Sequence, residues 1–209
     1  MADQPHRSSA SGYGADSDGP RERMIIHAAD LIGRDGVAAT SIGDVIAASA
    51  APRGSIYHHF PGGKTQLMTE AVRYAGENIS RKLGGRNDSS PAETVIQVGG
   101  IWRDMLIATD YQCGCPVLAG GLARRSEPAV ADEADQVFGQ WRRLVAARFL
   151  HDGVDPDRAD SLAYLVIAAV EGAVGLCQTQ RTVEPLDQVI AVLARFCGSV
   201  IPGVAVISE

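Results

Sequence analysis

The strongest constraint in this sequence is its punctuation. Stretches of helical periodicity are cut repeatedly by prolines and glycines, which a helix accepts only at its ends. Ile25, Ala28, Ala29 and Ile32 fall at i, i+3, i+4 and i+7, one apolar face of a helix beginning near Arg21. Gly36 after Asp35 suits its C-cap. Thr40 or Ser41 can cap the next helix, with Asp44 three residues past Ser41. That helix runs through Ile42, Val45 and Ile46 to about Ser49, and Ala50, Ala51 and Pro52 break it. A third covers Arg53 to His59 and ends at Phe60, before the stop Pro61-Gly62-Gly63. Longer helices are expected from Lys64 to about Lys82, Pro91 to Thr109, Pro128 to Leu150, Asp157 to Gln180 and Pro185 to Val200. Residues 84–90 read as a linker and residues 110–121 as irregular. No segment keeps a strand's alternation, so the expected class is all-α.

Charge divides the chain. The net charge is −6, which taken whole argues against a nucleic-acid partner. Residues 1–20 carry net −2, residues 21–86 net +3 and residues 87–209 net −7. A basic segment on an acidic body is the pattern of a nucleic-acid-binding head. Residues 1–20, rich in Ser, Gly and Asp, read as a disordered tail. The expected organisation is that tail, a helix-turn-helix domain at 21–66, and a helical effector-binding and dimerisation domain at 67–209. No apolar run approaches the roughly 20 residues of a membrane span, since Leu162 to Leu176 is interrupted by Glu171. The N-terminus has no secretory h-region, and Cys113, Cys115, Cys177 and Cys197 suit a reducing compartment. A cytoplasmic protein with no membrane partner is expected.

The short helix, turn and short helix at 41–59 have the dimensions of a helix-turn-helix. Its second helix would enter the major groove while the first braces it. The side chains it offers are Arg53, Ser55, Tyr57, His58 and His59, donors suited to phosphates and base edges. Ile56 and Phe60, four apart, should face inward, and Gly54 lets the backbone approach closely. The bland alternative for Tyr57 is a ring covering the core. His58 and His59 invite a metal reading, but adjacent helical residues point about 100° apart and no third ligand is near in sequence. No metal is expected.

The run TSIGDVIAASAAPRGSIYHHFPGGKTQLMTEAV at 40–72, and the string GSIYHHFPGGK above all, resembles the TetR family of repressors. The resemblance implies a homodimer on a near-palindromic double-stranded operator. It implies phosphate contacts from Tyr57 and the Thr40 hydroxyl, with Ser41 on the same side. His58 would lie on DNA, and Lys64 would clamp the backbone at the start of the fourth helix. Arg53 and Ser55 are the candidates for reading bases. One departure is Pro52, where the family often has Ser or Thr to open the recognition helix. The GCP string at Cys113 to Pro116 resembles the LmrA/YxaF-like branch, whose members answer to drugs or flavonoid-like compounds.

From Pro91 onward there is no phosphate loop, nucleophile elbow or paired-carboxylate spacing, so neither an enzyme nor a cofactor is expected. The apolar excess suits a ligand cavity and a dimer interface. Trp102, Met105, Phe138, Trp141 and Tyr164 are candidates to line the cavity, with Glu171 and Gln178 as polar anchors. Ordinary core positions are the alternative for each. Glu171, a lone carboxyl in an apolar run, needs a partner: a cationic ligand, an interhelical hydrogen bond or the dimer seam. Ala168, Ala169, Gly172, Ala173 and Gly175 would let the last two helices pair closely across a two-fold axis. Cys113 and Cys115 read as buried thiols, with a redox pair or half a metal site as alternatives. The functional expectation is a repressor released by a small hydrophobic molecule. An activator, or a ligand-independent DNA binder of the same fold, is the alternative.

Overall fold

The computed structural model describes residues 19–84 and 89–201, without the Arg53 side chain. The expected tail up to residue 18, most of the linker and the last eight residues lie outside the described residues. The elements are α1 (Pro20–Asp35), α2 (Ile42–Ser49), a 3-10 turn (Arg53–Ser55), α3 (Ile56–His59) and α4 (Gly63–Gly84). They continue as α5 (Pro91–Ala108), α6 (Pro116–Leu122), α7 (Pro128–His151), α8 (Pro156–Gln180) and α9 (Glu184–Ser199). Among the described residues there is no strand.

Helix ends fall where the punctuation puts them. A proline occupies the first or second position of α1, α5, α6, α7, α8 and α9, where its missing N–H costs no hydrogen bond. Two reciprocal caps start α2 and α5: Ser41 with Asp44, and Ser90 with Glu93. Asp155 accepts from the N–H groups of Asp157 and Arg158 to open α8. Gly36 ends α1 at φ 82°, in the left-handed region glycine tolerates.

Two expectations are corrected. Residues 110–121 are not wholly irregular: α6 starts at Pro116, its first N–H groups capped by the Cys115 sulfur, which accepts from Leu118. The third helix is not one element but a 3-10 turn followed by a single α-turn.

The core is continuous from α1 to α8. Met24, Ala28 and Ile32 of α1 pack with Val45, Ile56, Phe60, Leu67 and Val72, and the same cluster runs on to Trp102, Trp141 and Val174. A second cluster, with Val95, Phe149, Leu162 and Leu193, closes the far end between α5, α7, α8 and α9. Each fully buried large side chain contributes roughly 1.5–3 kcal/mol. α4 belongs to both ends, packing on α1 and then on α7. α8 is long and apolar enough by composition to cross a membrane, which the interrupted apolar runs did not suggest. In the fold it packs Leu162, Val166, Val170 and Val174 inward against α7 and α9.

One contact joins the two ends without side chains. A Cβ on Gly33 of α1 would lie 2.6 Å from the Gly114 carbonyl oxygen, and one on Gly114 would lie 2.4 Å from the Gly33 oxygen. Backbone on both sides leaves no flexible group to yield. Gly33→Ala is therefore expected to lower stability by about 1–3 kcal/mol, although alanine is intrinsically the better helix former by about 1 kcal/mol. Gly100→Ala, at an exposed α5 position with nothing within 4 Å, should instead gain up to about 1 kcal/mol. Denaturant unfolding of the two variants checks this, and equal stabilities would refute the close contact.

Candidate nucleic-acid interface

The exposed end of the head is built on a buried keel. α2 starts at Ser41, whose hydroxyl accepts from the Asp44 N–H at 3.1 Å and donates to the Asp44 carboxylate at 2.6 Å. Those bonds, with the Ser41 backbone N–H, hold the Asp44 carboxyl below the usual range. α2 ends on Ala50 in the left-handed conformation, φ 50°. The chain then extends through Pro52 and tightens, with the N–H and hydroxyl of Ser55 both donating to the Pro52 carbonyl. Ile56 and Phe60 are buried, one turn apart. The intervening residues must therefore face outward: Tyr57 is 68% exposed and His58 is exposed beside it. His59 is half-buried and stands edge to face with His58, ring centroids 5.2 Å apart.

The next turn is fixed just as firmly. Gly63 takes φ 65° and donates to the Phe60 carbonyl. The Gln66 amide oxygen accepts from the Gly62 N–H at 2.8 Å, and its nitrogen donates to Glu70. The Arg21 guanidinium sits 5.0 Å over the Phe60 ring and also pairs with Glu70. Lys64 is thereby held, half-buried, in the first turn of the 22-residue α4. A phenol, imidazoles and an ammonium at the start of a long helix are a donor set for phosphate oxygens.

The other head residues are placed less favourably. Thr40 is 2% exposed and its hydroxyl donates to the Gly36 carbonyl at 2.8 Å, so its side chain is engaged within the head. Ser41 is exposed, but Asp44 holds its hydroxyl. Gly54 is exposed with open space around it. The Arg53 side chain lies outside the described residues.

The expected ligand set does not converge. Trp102, Trp141 and Glu171 line one apolar cavity of about 30 Å³ between α4, α5, α7 and α8. Phe138 and Tyr164 line a different space, an open polar groove with Arg73, Glu133 and Arg142: Phe138 is half-buried with its ring edge to face on Trp141, and Tyr164 is 60% exposed under the Arg142 guanidinium. Met105 is buried but borders a shallow surface groove with Lys82 and Gln97, not this cavity. Gln178 lies against Gly114, at the contact with α1, likewise outside it. The aliphatic lining (Ile79, Leu83, Val98, Val166, Ile167) went unnamed at the sequence level because nothing in helical spacing separates it from ordinary core.

Burial pushes the Glu171 carboxyl up to about 7, against a smaller lowering by the Cys115 thiol that bonds to it. The Cys115 thiol goes up in turn, through burial first and then the Glu171 charge. Cys113, Cys177 and Cys197 are free and likewise raised by burial, the last to about 11. Such thiols are poor nucleophiles.

Residues 25–71 match the family described as bacterial regulatory proteins, tetR family, and residues 91–192 match the transcriptional regulator LmrA/YxaF-like C-terminal domain. An uncharacterized HTH-type transcriptional regulator of Mycobacterium tuberculosis is 43% identical over 178 residues, covering 82% of this chain and 90% of its own. The HTH-type transcriptional regulator LmrA of Bacillus subtilis is 30% identical over 170 residues, covering 79% and 90%. A crystal structure of a TetR transcriptional regulator from Chloroflexus aurantiacus superposes with a TM-score of 0.66 at 31% identity, covering 85% of this chain and 93% of that one. A head and a body that each match along their length, on a fold shared with a solved relative, place this chain in the TetR family of helix-turn-helix, DNA-binding transcriptional regulators.

Proposed function

We propose that the protein is a repressor that holds a near-palindromic operator as a homodimer and lets go when a small, largely hydrophobic molecule enters its body. The observation that carries this reading is the outward stance of Tyr57 and His58 over the buried Ile56 and Phe60. In this reading residues 21–66 are the head and residues 67–209 the body, acting in the cytoplasm. Tyr57, His58 and Lys64 grip phosphates and set the register, His59 supports them, and Arg53 and Ser55 read bases. Ser55 must first turn its hydroxyl from the Pro52 carbonyl. Gly54 gives the groove close access to backbone.

Two-fold pairing is supported by a second surface. α8 presents Leu165, Ala168, Gly172, Gly175 and Leu176 to the outside, and α9 presents Val192 and Phe196 beside them. A stripe of small and apolar residues on two adjacent helices is suited to a self-complementary four-helix contact. Such a dimer would set its two recognition helices about 34 Å apart, one turn of B-DNA.

Two measurements test the reading. Tyr57→Ala with Lys64→Ala should weaken binding to DNA fragments selected by the wild-type protein by roughly tenfold or more. It should also flatten the dependence on salt, since phosphate contacts release counterions, while the helical circular dichroism stays unchanged. Undiminished affinity in that double variant would remove the head assignment. Leu176→Asp should convert the protein to monomer in sedimentation and abolish high-affinity DNA binding. A dimer that survives this change would move the interface elsewhere.

A further inference from the structure

The cavity between α4, α5, α7 and α8 is apolar on every side but one. Trp102 and Trp141 form its broad walls and aliphatic side chains fill the rest. The exception is Glu171, only 8% exposed, whose Oε2 has no hydrogen-bond partner. Among the described residues, the Cys115 thiol is the side chain that hydrogen-bonds the carboxyl. No lysine or arginine lines the space. A buried carboxyl oxygen without a partner costs the fold free energy, and Glu171 lines the same cavity as both tryptophans.

We propose that the effector is an organic cation: an aromatic or alkyl body carrying a protonated amine, which donates to Glu171 Oε2 while the body lies against Trp102 and Trp141. This deepens the reading of the body as an effector site and rests on it. An anion would meet like charge in an apolar setting. A neutral hydroxyl can donate to the carboxylate oxygen but leaves its charge uncompensated in an apolar setting. A cation satisfies it, and indole is the best aromatic partner for an ammonium.

Size demands that the site open. At about 30 Å³ the cavity takes an ammonium head and little more, whereas ligand cavities run to roughly 300 Å³ and above. The wall placed to yield is α5, which is bound chiefly to α9 and meets α4 and α7 only thinly. A Cβ at Gly99 of α5 would lie 2.6 Å from the Ile190 side chain of α9, so α5 stays anchored on α9 there while its thin contacts with α4 and α7 give.

The test uses the full-length protein free of DNA, with three probes: 4-phenylbutylamine, 4-phenylbutanol and 4-phenylbutyrate. Calorimetry and tryptophan fluorescence read the affinities. At pH 8 the amine should bind at least about tenfold more tightly than the alcohol, a difference of about 1.4 kcal/mol, and the acid more weakly than either. Glu171→Gln should erase the preference for the amine and keep the affinity for the alcohol.

A wild-type pH series guards against a misfolded variant. Between pH 6 and 8 the amine stays protonated while the Glu171 carboxyl, held at about 7, ionises. Amine affinity should then tighten by about tenfold across that interval and alcohol affinity stay flat. The Cys115 thiol, raised well above its usual range, stays protonated throughout.

Equal affinity for amine and alcohol overturns the proposal. So does a preference that survives Glu171→Gln, a flat pH series, or an amine that fails to bind at millimolar concentration. Because binding is read without DNA, a protein that captures the amine yet keeps its DNA sinks the release mechanism alone. Release by the neutral alcohol sinks the cation and leaves release standing.

Discussion

Where α1 passes the loop before α6, two backbones touch with nothing between them, and beside the continuous core this touch fixes how the head sits on the body. Gly33 and Gly114 are eighty-one positions apart in sequence, and neither tolerates a Cβ at this spacing. From the same loop Cys115 caps α6, and its thiol reaches the Glu171 carboxyl at the edge of the apolar cavity. α6 in turn packs on α1, α4 and α7. The cavity wall and the recognition helix are therefore joined by contiguous matter: a carboxyl, a thiol, one short helix and the helix that carries the keel. Packed elements of this kind move as discrete units rather than deforming smoothly.

The head shows how a short helix can be presented without much helix. α3 has a single α-turn and little intrinsic stability. Its position is held by Ile56 and Phe60 beneath it and by the tie from Gly63 to the Phe60 carbonyl. Burial of two residues one turn apart turns Tyr57 and His58, two of the three between them, outward and leaves His59 half-buried. Charge works over a longer range: net +3 in residues 21–86 against −7 in residues 87–209 orients the molecule head-first toward a polyanion. That field steers the approach, whereas the keel decides which side chains arrive.

Much of this was legible from residue order. Prolines and caps marked helix starts to within a residue or so because they act locally, through missing N–H groups and side-chain acceptors. α6 escaped because PVLAGGL carries two glycines that weaken its helix signal, and because its cap is a sulfur, outside the usual Ser, Thr, Asp and Asn. Thr40 and Ser41 offered equivalent hydroxyls to a local reading; the return of the chain over Gly36 put one inside and left the other as the cap. The ligand set scattered for a related reason. Period identifies an apolar stripe on a helix, but a helix between two neighbours has more than one, and which neighbour each stripe meets is a property of the assembled bundle. Trp141 turned to the cavity, while Phe138, three residues before it, turned to the open groove.

Glu171 is the residue that stability alone would not retain. A carboxyl held at about 7, against an ordinary 4.5 in the unfolded chain, stays protonated in the fold at pH values where the open chain has already ionised. Below the lower value this costs nothing. As pH rises through the window between the two, stability falls, and above both the loss levels off at about 3 kcal/mol. A leucine or methionine there would remove the cost. Cys115 offsets only part of it, since one thiol is a weak donor and Oε2 has no partner. A fold with roughly 5–15 kcal/mol of net stability carries this deficit inside an otherwise apolar cavity, and the proposed cationic effector would supply the missing partner.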